Sequence, residues 1–202
     1  VGDVVINNSV YIKNFKSKGI IDNWGKLTKN LMLWTYCTHF GSLYSYFPTM
    51  HTWQQSFNYY KDEQVKFLYM QSNSTEIADW KARMETYIAS KMLWNPNRDV
   101  LQLRNEYIDI YYGVASSYIK RFMDSLDEHY CNVFNNYNVY NQCQGSEIII
   151  SKYHTAAFFE NLINTVEDAE KSVSESSLSS NEKQVLLKRL EQVKITPMYM
   201  LL

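Results

Sequence analysis

The sequence predicts an α/β arrangement that gives way to an all-helical second half, so that the chain is mostly helical. Two compact apolar runs, LMLWTYCTHF (31–40) and VKFLYMQSN (65–73), read as short buried strands. Segments with apolar residues at helical spacing precede, separate and follow them, so the strands are joined by a helical crossover and run parallel. From Asp99 onward only the helical period remains.

The elements follow in order. Residues 9–29 read as a helix with Ile20, Ile21, Trp24 and Leu27 at helical spacing, and with Gly19 as a point where it breaks in two. The first strand leads into GSLYSYFP (41–48), a loop, and Pro48 suits the first turn of the next helix. Met50, Trp53, Phe57 and Tyr60 mark one face of that helix. After the second strand, Trp80, Met84, Tyr87, Ile88 and Met92 line a helix that stops before Asn95-Pro96. Asp99 is the predicted N-cap of the next helix, which carries Leu103, Tyr107, Ile110 and Tyr111. Gly113 is its C-cap or a break, and Val114, Tyr118, Phe122 and Leu126 continue the apolar face. Residues 127–147, rich in Asn and Tyr, read as a long loop. A helix over 149–173 turns Phe159, Leu162, Ile163, Val166 and Ala169 inward. Ser179 and Glu182 form a capping box for a last helix carrying Leu186, Leu190 and Val193 and ending at Pro197.

Composition narrows the function classes. A chain of 202 residues with 46% hydrophobic content can bury one large core or two small ones. Its net charge of −1 comes from scattered acids and bases with no basic block, which argues against nucleic acid as a partner. The apolar runs are too short for a membrane span. The first ten residues, VGDVVINNSV, carry neither a charged leader nor an apolar signal core, which puts any export signal upstream of residue 1. Cys37, Cys131 and Cys143 are too few and scattered for a disulfide scaffold. Free buried thiols are the favoured reading, with a Cys131–Cys143 bridge as the alternative. The 17 tyrosines and 5 tryptophans serve either core packing or a surface on which rings stack against sugars.

Four strings taken together resemble a known family: LWTYCTHFGSLYSYFPTM, VKFLYMQSN, MLWNPNRDV and EYIDIYYGVASSYIKRFMD. The family is the one called domain of unknown function 4838. Its members show a Trp-x-Tyr strand and a Phe-Pro loop, a strand ending near a Gln, a Leu-Trp-Asn-Pro helix end and a Tyr-Tyr-Gly-x-Ala segment before a helical tail. The resemblance covers residues 20–126 and, more loosely, the tail to 202. It implies a (β/α)8 TIM-type barrel similar to those of glycoside hydrolases. Part of the family is classed as glycoside hydrolase family 163, associated with endo-β-N-acetylglucosaminidase activity on N-glycans. Such proteins are typical of Bacteroidetes and are exported to the periplasm or cell surface. A complete barrel takes roughly 200 residues or more, and only two strands are legible. Residues 1–95 are therefore expected to be the last barrel units, and residues 96–202 a helical C-terminal cap. The remainder of the barrel is expected upstream of residue 1.

Glycoside hydrolysis ordinarily needs two carboxyl groups about the scissile bond, and barrel enzymes place them at the carboxyl ends of strands. Here the first strand end offers Tyr36, Thr38, His39 and the Tyr44–Tyr46–Phe47 loop, and the second offers Gln71, Ser72 and Asn73. Neither holds an acid pair. Glu76 is the nearest acid, and at a helix start it is more simply a residue that complements the helix dipole. No catalytic residue is assigned; the chain is expected to contact substrate while the acids lie elsewhere. Tyr36 is read as a hydrogen-bonding group or a core aromatic, and Trp34, on the same face, as core. Gln71 and Asn73 suit sugar hydroxyls or loop capping, and His39 a hydrogen bond to sugar or a structural role. Tyr44, Tyr46 and Phe47 suit stacking on a pyranose ring; burial of all three against the tail helices would exclude it. His51, His129 and His154 have no partners at metal-ligand spacing, and no nucleotide or cofactor fingerprint is present. A non-catalytic carbohydrate-binding module and a purely structural helical domain are the rival readings.

Overall fold

The computed structural model describes residues 12–37, 44, 46, 49–72, 80–137 and 154–202. In chain order these form α1 (Ile12–Leu27), β1 (Leu31–Tyr36), α2 (Met50–Asp62), β2 (Val65–Gln71), α3 (Trp80–Trp94), α4 (Val100–Tyr112), a short 3-10 turn (Gly113–Ala115), α5 (Ser116–Tyr137), α6 (Ala156–Glu175) and α7 (Ser180–Tyr199). The predicted β–α–β unit is present. β1 and β2 pair in parallel with α2 as the crossover, in the register Met32↔Phe67, Leu33↔Leu68, Trp34↔Tyr69, Thr35↔Met70 and Tyr36↔Gln71. A bulge between Leu31 and Met32 sets this register.

Alternation along each strand sorts side chains onto two unlike faces. Thr35 is buried on the inner face, and Leu33, Leu68 and Met70 pack against buried side chains. The outer face is bare, with Met32 62%, Trp34 52%, Phe67 68% and Tyr69 48% exposed. Trp34 was expected in the core; the strand's period of two places it outside instead, on the face away from the helices.

The main core is a single cluster running from Cys37 and Tyr46 through α2–α7 to Met200. The expected units 1–95 and 96–202 thus share one core. Met50, Trp53, Phe57 and Tyr60 are buried as the helical period predicts, and so are Trp80, Met84, Ile88 and Met92. A smaller cluster of Ile21, Leu31, Tyr59 and Tyr60 fastens α1 to the sheet, aided by a 2.5 Å hydrogen bond from the Tyr59 hydroxyl to Asp22.

Several boundaries differ from expectation. α1 runs unbroken through Gly19, and of its predicted inward stripe only Ile21 is buried, while Ile20, Trp24 and Leu27 face out. The first strand stops at Tyr36 and the second at Gln71. Residues 127–137, expected as loop, continue α5. Weak local propensity there yields to tertiary packing, since Leu126 and Tyr130 are both buried in the core. α6 begins at Ala156 behind the N-cap Thr155, whose hydroxyl accepts from the Phe158 amide. α7 starts with the expected Ser179–Glu182 capping box but passes through Pro197, which stands so near the end that little of the ladder is lost. Asp99 caps α4 as predicted, its carboxylate accepting from the Gln102 amide at 2.7 Å. Cys37 is a buried thiol; Cys143 lies outside the described residues. No helix among the described residues is long and apolar enough to cross a membrane.

Candidate functional site at the carboxyl ends of the strands

The bare sheet face ends in a small constellation of polar and aromatic groups. The Trp34 indole N–H donates to the Gln71 side-chain oxygen at 2.8 Å, crossing diagonally from β1 to β2. The Trp34 ring stands edge-on to Tyr69, with centroids 4.8 Å apart. Tyr36, half-buried, lies opposite Gln71 in the register and on the same side as Trp34. The Cys37 amide donates to the Gln71 carbonyl at 2.7 Å, so the ladder extends one residue past β1 and holds both strand ends together. Met32, Trp34, Tyr36, Phe67, Tyr69 and Gln71 include no carboxylate. The face offers rings, one phenol pair and an amide.

Tyr46 does something other than stack on a sugar. It is 4% exposed, and its hydroxyl donates to Asp127 of α5. Its ring packs edge-on against Tyr130 at 5.2 Å, and the Lys81 ammonium sits 5.3 Å from its centroid. Burial, the Asp127 charge and the hydrogen bond to Asp127 all push its phenol well above the usual range, so it remains a donor. This corrects the stacking role expected for Tyr46: no ring face is open. Tyr44, by contrast, is 41% exposed beside Tyr199 of α7, with centroids 5.6 Å apart. His39, Phe47 and Asn73 lie outside the described residues, as does Glu76.

The anchor of Tyr46 is an ionic network about the buried Arg104 that the sequence did not announce. Arg104 of α4, almost wholly buried, donates to Asp127 at 3.0 Å and to Asp124 at 2.5 Å. Lys81 and Glu85 form a buried pair at 3.0 Å on α3. Removing one member of such a pair leaves an uncompensated charge in the core. Beyond α5, Trp80 at the start of α3 donates its indole N–H to Thr196 of α7 at 3.1 Å and packs edge-on against Phe122. Tyr46 and Trp80, which come after the first and second strand, are therefore both held by the helical tail.

The histidines give a second unexpected pairing. His129 Nε2 and His154 Nδ1 are 2.7 Å apart, with His129 stacked on Phe158 at 3.9 Å. Burial lowers both, and the neighbouring His129 adds to the effect on His154, which falls to about 4. The pair is neutral at pH 7. Among the described residues no group of three His, Cys, Asp or Glu side chains is placed to hold a metal ion.

With this geometry in view, residues 4–124 match the family model described as Domain of unknown function (DUF4838). The chain belongs to this family. The matched stretch takes in both strands, the whole bare face and α2–α4, and it stops inside α5. In this DUF4838 chain, Asp127 and Thr196, which hold Tyr46 and Trp80, come after the matched residues. Curated proteins and solved structures give no match to the chain.

Proposed function

We propose that this DUF4838 chain forms the last units of a (β/α)8 barrel in an exported glycoside hydrolase, with residues 96–202 as its helical cap. In this reading it contacts a glycan, of the kind cut by endo-β-N-acetylglucosaminidases acting on N-glycans, while catalytic carboxylates come from strands outside the chain. One observation carries the reading. A parallel sheet is ordinarily covered on both sides, and here one side is covered while the other exposes Met32, Trp34, Phe67 and Tyr69. Closing a barrel puts Met32 and Phe67 inside and leaves Trp34, Tyr36, Tyr69 and Gln71 towards the rim of its carboxyl end, where barrel enzymes bind substrate. The outward stripe of Ile20, Trp24 and Leu27 on α1 fits a neighbouring barrel helix in the same way.

The test is glycan release from an N-glycoprotein by the full-length protein, followed by mass spectrometry. Release by cleavage between the two core N-acetylglucosamines is the expected result, with KM raised at least tenfold in Trp34→Ala. Absence of both release and glycan binding refutes the reading. The lack of any carboxylate on the face favours one second reading, a non-catalytic carbohydrate-binding protein; glycan bound but never cut would establish it.

A further inference from the structure

We infer that Trp34 is a positioning residue that fixes Gln71 as a hydrogen-bond donor, so that the strand ends select an acyl oxygen on the sugar. The inference rests on the glycan-contacting role proposed above and assigns the chemistry of one contact in it. An indole N–H only donates, so the group it touches at 2.8 Å must be the carboxamide oxygen. With that oxygen engaged, the amide nitrogen and its two hydrogens point away from Trp34. Among the described residues nothing accepts from them. The indole is itself held by its edge-on contact with Tyr69, so the amide is oriented before any ligand arrives.

A freely turning glutamine presents donor or acceptor as the ligand requires, and a sugar hydroxyl satisfies either. A glutamine held in this orientation turns its two amide hydrogens outward, while its oxygen already has one of its two lone pairs engaged by Trp34. Its best partner is a strong acceptor carrying no hydrogen, which on a sugar is the carbonyl oxygen of an N-acyl group. Trp34 acts through Gln71: its ring N–H, rather than its bulk, sets the preference. The prediction thus concerns a ratio of affinities, which a general loosening of the site leaves unchanged.

The experiment titrates full-length protein with N,N′-diacetylchitobiose and with cellobiose, which carries hydroxyls where the former has acetamido groups. Wild type is expected to prefer the acetamido sugar about tenfold, the worth of one good hydrogen bond. Trp34→Phe keeps a ring and removes the N–H; the preference should fall to about threefold or less whatever happens to absolute affinity. Gln71→Glu removes both donors and should invert the order. An undiminished ratio in Trp34→Phe, or chitobiose binding unchanged in Gln71→Glu, overturns the inference and leaves the glycan reading standing. A disaccharide bearing a uronate that outcompetes chitobiose in wild type overturns the acyl assignment. Wild type binding none of the three sugars overturns the glycan reading and this inference together.

Discussion

Tyr46 and His154 show how single side chains take roles that their sequence neighbourhoods disguise. Tyr46 stands in a loop of glycines, serines and aromatics, yet its phenol is buried on Asp127, which also accepts from Arg104. Tyr46→Phe removes a hydrogen bond to a charged acceptor and should lower stability by about 1.5–3 kcal/mol in urea unfolding; an unchanged midpoint would mean that Asp127 is fully satisfied by Arg104. At His154 the effect is one of pH. Its folded value of about 4 lies below the ordinary 6.5, so the unfolded chain binds the proton more readily. The stabilisation is therefore full above pH 6.5 and drains away as pH falls toward 4. His154→Phe should show a smaller drop in Tm between pH 6.5 and 4 than wild type does. Parallel curves for the two proteins would count against the buried neutral pair.

Among the elements of the described residues, two backbone positions adopt positive φ with opposite consequences. Gly113 closes α4 at φ 50, with open space around the position of an added Cβ. Gly113→Ala should therefore cost about 1–3 kcal/mol through conformation alone, read as a lowered thermal midpoint with helix content preserved. Gln64, between α2 and β2, holds φ 61 without being glycine. Gln64→Gly relieves positive-φ strain at the cost of a freer unfolded chain and should stabilise by up to about 1 kcal/mol net, and a destabilised variant would show that the Gln64 side chain is needed there. Much at this scale was legible in the sequence. The Met50–Trp53–Phe57–Tyr60 stripe, the Asp99 cap, the Gly113 break and the Ser179–Glu182 box each combine a local signal with a local structure. What escaped were features decided at long range. Residues 127–137 continue α5, whose Leu126 and Tyr130 are buried in the core, and Trp34 faces outward because the helices cover only one side of β1. Of the candidate site, Tyr36 and Gln71 were legible from their place at strand ends. The Trp34–Gln71 bond was not, because it depends on a strand register that sequence alone does not fix. Nor was the Tyr46–Asp127–Arg104 network, which joins residues more than twenty positions apart.

For the whole molecule, one core joins the parallel β–α–β unit to the helical tail and leaves the opposite sheet face uncovered. That face links the architecture to the proposed function: its apolar rows want cover, and its carboxyl end holds a tyrosine, an indole and an oriented amide. Hydroxyl-radical footprinting of the full-length protein, with and without an N-glycan, tests this directly. Met32 and Phe67, near the amino ends of the strands, should be protected at all times by the rest of a closed barrel. Trp34, Tyr36 and Tyr69 should gain protection only when glycan is added. Oxidation of Met32 and Phe67 at the rates of solvent-exposed side chains, with no change at Trp34 or Tyr69 on adding glycan, would contradict the account.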